Sequence, residues 1–297
     1  MVLNLTKGTV FMFATGLGIV GNIFVLMKYI CLFRSAVKSV ELILIHLAFT
    51  NIITLLTKGM IRTISRFVLI NLMDDVGCKI LIYLNRVARG LSISATSLLT
   101  VVQAITISPR TSRWRRLQPR SAWNILPLLF FFWILNSLIS MNLPFHIKHV
   151  NSQKTSNISK NNDYCYFESE NRIIRWIFIV LMVLLDAVFQ GVMGWASGYM
   201  VFLLHKHHQH VLYLQTSKLL YSTPPELKAA QSVLFLMLCF LFFYWTDCFT
   251  SLYLTFSLGT DSITNGLHVF LTIGYAIVSP FLQIHREGHF ITCWFAQ

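Results

Sequence analysis

Seven long, nearly uncharged apolar runs dominate this chain and restrict its fold more than any other feature. Most reach roughly 18 to 28 residues, enough to cross a hydrocarbon core about 30 Å thick. Lipid offers the backbone no hydrogen-bond partner. Open sheets would leave their edge amides unpaired there, whereas helices pair every interior amide internally. An outer-membrane barrel needs alternating strands of about ten residues, and these runs do not alternate. The expected fold is an all-α membrane protein, a seven-transmembrane helix bundle. Composition agrees: 55% of the residues are hydrophobic and 12% charged, where soluble domains are about a quarter charged.

The spans are expected at about 9–33, 42–57, 79–107, 122–145, 174–204, 229–257 and 262–284. Lys28 in the first can snorkel to the headgroups, and the third is long enough to tilt. The spans account for most of residues 1–297, so one seven-span domain is expected, with a short outer N-terminus and a short inner tail. No internal repeat or low-complexity segment interrupts it. The first run is too long for a signal-peptide core and lacks a small-residue cleavage site, so it is expected to stay as a membrane anchor.

The net charge is +13. No basic domain exists outside the loops between spans, which argues for a lipid-facing role and against nucleic acid as a partner. With the N-terminus outside, Lys and Arg divide almost evenly between the two sides, so their count orients the chain weakly. The loop after span three gives the best local signal, with Arg110, Arg113, Arg115, Arg116 and Arg120 close together. Two glycosylation sequons agree with this orientation, Asn4-Leu5-Thr6 and Asn157-Ile158-Ser159, and the second is farther from the membrane.

Six cysteines divide by location. Cys31, Cys239, Cys248 and Cys293 lie in spans or at the inner side and read as reduced apolar fillers. Cys78 and Cys165 lie at the outer face, one opening span three and the other in the loop before span five. An oxidising exterior permits a bridge between them that would pin the loop over the bundle. His205, His207, His208 and His210 occupy an expected inner loop and read as a partly protonated membrane-proximal patch, not a metal site.

Ionisable groups inside a bilayer cost roughly 2.5 to 3.5 kcal/mol each by insertion scales. Arg86 and Arg89 in span three, Asp186 in span five and Asp247 in span six therefore need a reason. Their charges sum to zero, which permits pairing across the bundle. Alternatively the arginines line a cavity and offer positive charge to an acidic or hydrogen-bonding ligand. Both readings stand for Arg86, while pairing is preferred for Arg89. His46 and Asn51 read as interhelical hydrogen-bond formers. Tyr83, Phe189, Tyr244 and Trp245 could wall an apolar ligand pocket, although each alone reads equally as packing or lipid-facing surface.

There is no Gly-rich phosphate loop, Gly-x-Ser-x-Gly elbow, His-Glu-x-x-His or catalytic carboxylate pair. The expectation is a protein that is not an enzyme and carries no cofactor or metal. Paired broken spans, a charged pore ring and a carbonyl filter are also missing, which disfavours a transporter or channel.

Span three and its borders read Cys78-Lys79, then Tyr83-Leu84-Asn85-Arg86-Val87-Ala88-Arg89-Gly90-Leu91-Ser92-Ile93, Ser97-Leu98-Leu99 and Gln103-Ala104-Ile105-Thr106-Ile107-Ser108-Pro109-Arg110, ending at Ser112-Arg113-Trp114. With His46-Leu47-Ala48, Leu56-Thr57-Lys58-Gly59, Leu204-His205-Lys206-His207, Pro225-Glu226, Ala230-Gln231-Ser232 and Ser279-Pro280-Phe281, this resembles the vomeronasal type-1 receptor family over nearly the whole chain.

The resemblance implies a class-A-like G-protein-coupled receptor that binds a small-molecule pheromone from outside, between spans three, five, six and seven. It also implies signalling through an inhibitory-type heterotrimeric G protein, in the plasma membrane of vomeronasal sensory neurons. The basic loop from Arg110 would then face the G protein. Gly21-Asn22 matches the usual class A pair, but Asn51 stands where most class A receptors have Asp, the Asp-Arg-Tyr triplet is missing, and only Pro280 remains of Asn-Pro-x-x-Tyr. The standard sodium site and switch residues therefore do not carry over. The rivals are a bitter-taste-like chemoreceptor, which would lack the span-three block, and a transporter or channel subunit.

Overall fold

The computed structural model describes residues 2–32, 39–66, 75–109, 112, 118, 122–141, 147–149, 165–167, 172–214, 225–256 and 262–286. They form α1 (Val2–Leu32), α2 (Ser39–Arg66), α3 (Asp75–Ile107), α4 (Leu126–Ser140), α5 (Arg172–Leu214), α6 (Pro225–Phe256) and α7 (Ser262–Arg286). Between α4 and α5, strands β1 (Ile147–His149) and β2 (Cys165–Phe167) pair antiparallel, with Lys148 opposite Tyr166.

Each expected span falls on one helix, but the ends differ for physical reasons. Helix continues wherever backbone amides can pair, whether or not the side chains remain apolar. Thus α1 begins at Val2, α2 runs on past Lys58 to Arg66, and α5 continues to Leu214. The histidines at 205–210 are accordingly helical and not in a loop, and Gln209 Nε2 lies 3.0 Å from His205 Nε2 one turn away. Span four is shorter than expected: Ala122–Asn124 is a 3-10 turn, and α4 starts at Leu126 with Pro127 in its first turn. Proline lacks an N–H, and in the first turn that loss breaks no helix hydrogen bond. The amides of Leu128 and Leu129 both donate to Ile125 O there.

α3 is the centre of the bundle and packs against α2, α4, α5 and α6. Its apolar stretch is 72% buried, against 22% for that of α5, which lies at the rim. Leu91, Ile93 and Leu99 are fully buried, and Ser92, Ser94, Thr96, Ser97 and Thr100 are buried with them. Small hydroxylated residues let helices approach closely, and Ser92 Oγ donates across to Thr50 Oγ1 on α2 (3.2 Å), while others bond to their own helix. Ser94 Oγ donates to Gly90 O (3.0 Å) and Thr96 Oγ1 to Ser92 O (2.7 Å). Large apolar side chains such as Phe13, Phe130, Trp195, Phe202 and Phe242 point outward and are exposed. In water that would be an aggregation hazard. In a bilayer it is the expected lipid-facing surface.

Side-chain amides tie the helices together. Asn22 Nδ2 on α1 donates to Gly18 O and, across the bundle, to Ala276 O, both at 2.8 Å. Asn51 Nδ2 on α2 donates to Asn22 Oδ1 (3.2 Å) and to Ser279 Oγ on α7 (2.8 Å). Trp133 Nε1 on α4 donates to His46 Nε2 on α2 (2.9 Å). Both His46 and Asn51 thus join helices, as their sequence context implies.

Candidate functional site

The four intramembrane charges resolve into two ion pairs anchored on α3. Arg86 Nη1 and Nη2 each lie 3.5 Å from Asp186 Oδ2 on α5. Arg89 Nη1 donates to Asp247 Oδ2 on α6 at 2.7 Å. The second is a short charge-assisted hydrogen bond and the first a looser contact, so the Arg89 pair is the stronger tie. Three-residue spacing turns the arginines to neighbouring faces of α3, each towards a different helix. Asp186 and Asp247 are each only 5% exposed, and an unpaired carboxylate at either place would be strongly destabilising.

These pairs belong to one polar chain across the bundle. Thr272 Oγ1 on α7 donates to Asp247 Oδ1 (2.6 Å), so both oxygens of that carboxylate are engaged. Tyr244 OH on α6 donates to Asp186 Oδ2 (3.1 Å), while the Arg89 guanidinium lies 4.9 Å from the centre of the Tyr244 ring. Arg89 Nη2 also approaches Cys248 Sγ at 3.8 Å.

A cavity of about 70 Å³ opens beside this chain. α2 supplies Asn51, Thr54 and Lys58, and α3 supplies Asn85, Arg89 and Ser92. α6 presents Phe240, Phe243, Tyr244 and Asp247, while Leu271, Thr272, Tyr275 and Ala276 complete the wall from α7. Since a water occupies about 30 Å³ in the liquid, the space suits one functional group or about two waters. Asn51 Oδ1 and Asn85 Oδ1 are buried without a hydrogen-bond partner among the described residues. Both therefore face a cost that an incoming donor would remove.

Of the aromatic residues expected to wall a pocket, only Tyr244 lines this cavity. Tyr83 OH donates to Ser137 O on α4 (3.4 Å), and Phe189 packs edge-on against Phe132 with ring centres 5.3 Å apart. Trp245 is 50% exposed, beside Phe249 on the outside of α6. One residue of helix rotates a side chain by about 100°, so Tyr244 and Trp245 cannot face the same space. Arg86 is held by Asp186 and does not line the cavity, whereas Arg89 and Asp247 do. The wall comes from α2, α3, α6 and α7, so α2 takes the place expected for span five.

Sequence reading passed over Lys58, Asn85, Ser92 and Thr272 as site residues. A signal was present: Phe240, Phe243, Tyr244 and Asp247 follow the i, i+3, i+4, i+7 pattern of one helix face, as do Asn85, Arg89 and Ser92 at i, i+4, i+7. Arg110, Arg113, Arg115, Arg116 and Asn157 lie outside the described residues, as do the side chains of Asn4 and Cys165. No group of three metal-ligating side chains gathers among the described residues.

Residues 5–296 match the model of the vomeronasal organ pheromone receptor family. Human vomeronasal type-1 receptor 3 is 34% identical over 277 residues, covering 91% of this chain and 87% of that relative. Olfactory receptor class A-like protein 1 of Danio rerio is 30% identical over 281 residues, covering 94% and 88%. Among solved structures, squid rhodopsin superposes with a TM-score of 0.69 at 14% identity, covering 95% of this chain and 76% of that one, which shows the fold alone. The apolar helices of a multi-pass membrane protein and the rhodopsin-like bundle agree with the family match. The chain belongs to the vomeronasal organ pheromone receptor family and is a chemosensory G-protein-coupled receptor, not an enzyme.

Proposed function

We propose that this receptor binds a small-molecule pheromone from the extracellular side, with one of its polar groups seated in the cavity between α2, α3, α6 and α7, and activates a heterotrimeric G protein of the inhibitory type. The observation that carries this reading is the cavity wall itself. Arg89, Asp247 and Thr272 form a preorganised polar cluster beside two unpartnered amide oxygens, of Asn51 and Asn85. Phe240, Phe243 and Tyr244 add the apolar and aromatic surface that small ligands use.

In this reading the whole chain is one receptor domain in the plasma membrane of vomeronasal sensory neurons, with its N-terminus outside and glycans at Asn157 and Asn4. The basic loop carrying Arg110, Arg113, Arg115 and Arg116 faces the G protein. A Cys78–Cys165 bridge holds the outer loop over the bundle. Supporting this pairing, Cys78 is fully buried at the start of α3, and β2 begins with Cys165. β1, the partner of β2, lies against α3.

The test is to express the chain with G proteins of the inhibitory and other classes and expose it to a panel of small volatile and steroid-like compounds. A dose-dependent activation absent from mock cells is expected with the inhibitory class. Silence from every G protein and compound, with the receptor verified at the cell surface, would overturn the reading.

A further inference from the structure

We propose that Asp247 is a ligand-operated latch on α6. The receptor rests while Asp247 is shared between Arg89 and Thr272, and α6 is released when a ligand takes over one of those partners. This rests on the cavity being the ligand site and names how that site is regulated.

The latch follows from how α6 is held. α6 packs chiefly on α7 and α3 and much less on α5. Asp247 is the acidic residue in its apolar stretch, and it spends one oxygen on each of those two neighbours, Oδ2 on Arg89 at 2.7 Å and Oδ1 on Thr272 at 2.6 Å. One carboxylate therefore sets the position of α6 against both helices at once. All three groups line the cavity, so a hydrogen-bonding group of a ligand can reach them directly. The Arg86–Asp186 pair differs on both counts: it is longer at 3.5 Å, and neither residue lines the cavity. It acts as a structural tie.

A latch must also be able to open without leaving a bare charge in the membrane. The ligand meets that need, because Tyr244, whose ring lies 4.9 Å from the Arg89 guanidinium, is on α6 and moves with Asp247, so the group that displaces Asp247 must itself pair with Arg89. Tyr244 is in turn held through its hydroxyl to Asp186. Arg89 paired with Asp247 and Arg89 paired with the ligand would be two arrangements of one cation, the kind of bistable element that lets a small change at a site move a whole helix. The ligand shifts the balance only by its preference for the released arrangement.

The test needs no ligand. The full-length receptor in lipid nanodiscs carries genetically incorporated spin labels at positions 123 and 231, in the turn just before α4 and near the start of α6, and the distance distribution is recorded. Asp247→Asn is expected to raise the population of the longer distance roughly tenfold from a minor state. Thr272→Val is expected to shift it in the same direction by less, and Arg86→Gln to leave it unchanged. Distributions identical to the parent in both Asp247→Asn and Thr272→Val would overturn the latch. If Asp247→Asn fails to fold, Thr272→Val decides alone. A shifted distribution in a receptor silent to every compound would condemn the ligand-cavity reading instead, and an unshifted one with an intact dose response would condemn only the latch.

Discussion

Asn136 on α4 lies against the Cα of Gly90 on α3, so closely that any side chain at position 90 would overlap its amide. Asn136 is itself fixed there, with Nδ2 donating to Phe132 O at 2.9 Å. Gly90→Ala should therefore push α4 off α3 and cost about 1–3 kcal/mol. Thermal unfolding of the purified receptor would register the loss. Adding Asn136→Ala should recover much of it, since contacting residues are not additive.

The amide hub of α1, α2 and α7 predicts an unequal response to two similar changes. Asn22→Ala removes the donor to Gly18 and Ala276 and the acceptor for Asn51. It should cost about 1–3 kcal/mol through the partners left buried and unpaired. Thr54→Ala removes only a hydroxyl bonded to its own helix at Thr50 O and should cost well under that. Comparing the two unfolding temperatures checks the assignment.

The two ion pairs should be separable by mutation. Arg89→Gln breaks the 2.7 Å pair and leaves the buried Asp247 without its cation, at a cost of about 3 kcal/mol. Arg86→Gln breaks a looser contact, and Asp186 keeps its Tyr244 hydroxyl. Its loss should be less than half as large. Denaturation in matched detergent would rank them, and equal losses would contradict the distinction drawn from geometry.

Asn85 offers a way to separate binding from stability. Its Oδ1 is buried and unpartnered at the cavity wall, so Asn85→Leu removes a cost while denying the ligand an acceptor. Surface expression should hold or rise while the agonist concentration for half-response increases about tenfold, the effect of one lost hydrogen bond. Trp245→Ala, on the outer face of α6, should leave that concentration unchanged.

The seven helices were legible because lipid demands long apolar runs, and the runs can be read directly. Their ends were not, because hydrogen bonding and not hydropathy decides where a helix stops: Arg66 and Leu214 lie well past the apolar stretches. That Arg86, Arg89, Asp186 and Asp247 would need partners followed from cost alone. Which arginine meets which carboxylate depends on helix rotation and neighbour order, and a single chain read in one dimension holds neither. Which aromatic side chains face a common space depends on the same helix rotation. Tyr244 and Trp245 are neighbours in the chain and lie on different faces of the same helix.

The length of α5 has a mechanical consequence. Its 43 residues make a rod about 65 Å long at about 1.5 Å per residue, twice the hydrocarbon thickness of about 30 Å. Asp186 clamps this rod to α3 partway along, and about 40 Å of unbroken helix runs from there to Leu214. A tilt of about 5° about that fulcrum sweeps the far end through about 4 Å on simple helix geometry. Side chains around Arg86 would hardly register such a rotation, yet its tip would travel nearly the width of a side chain, giving the rod a mechanical gain.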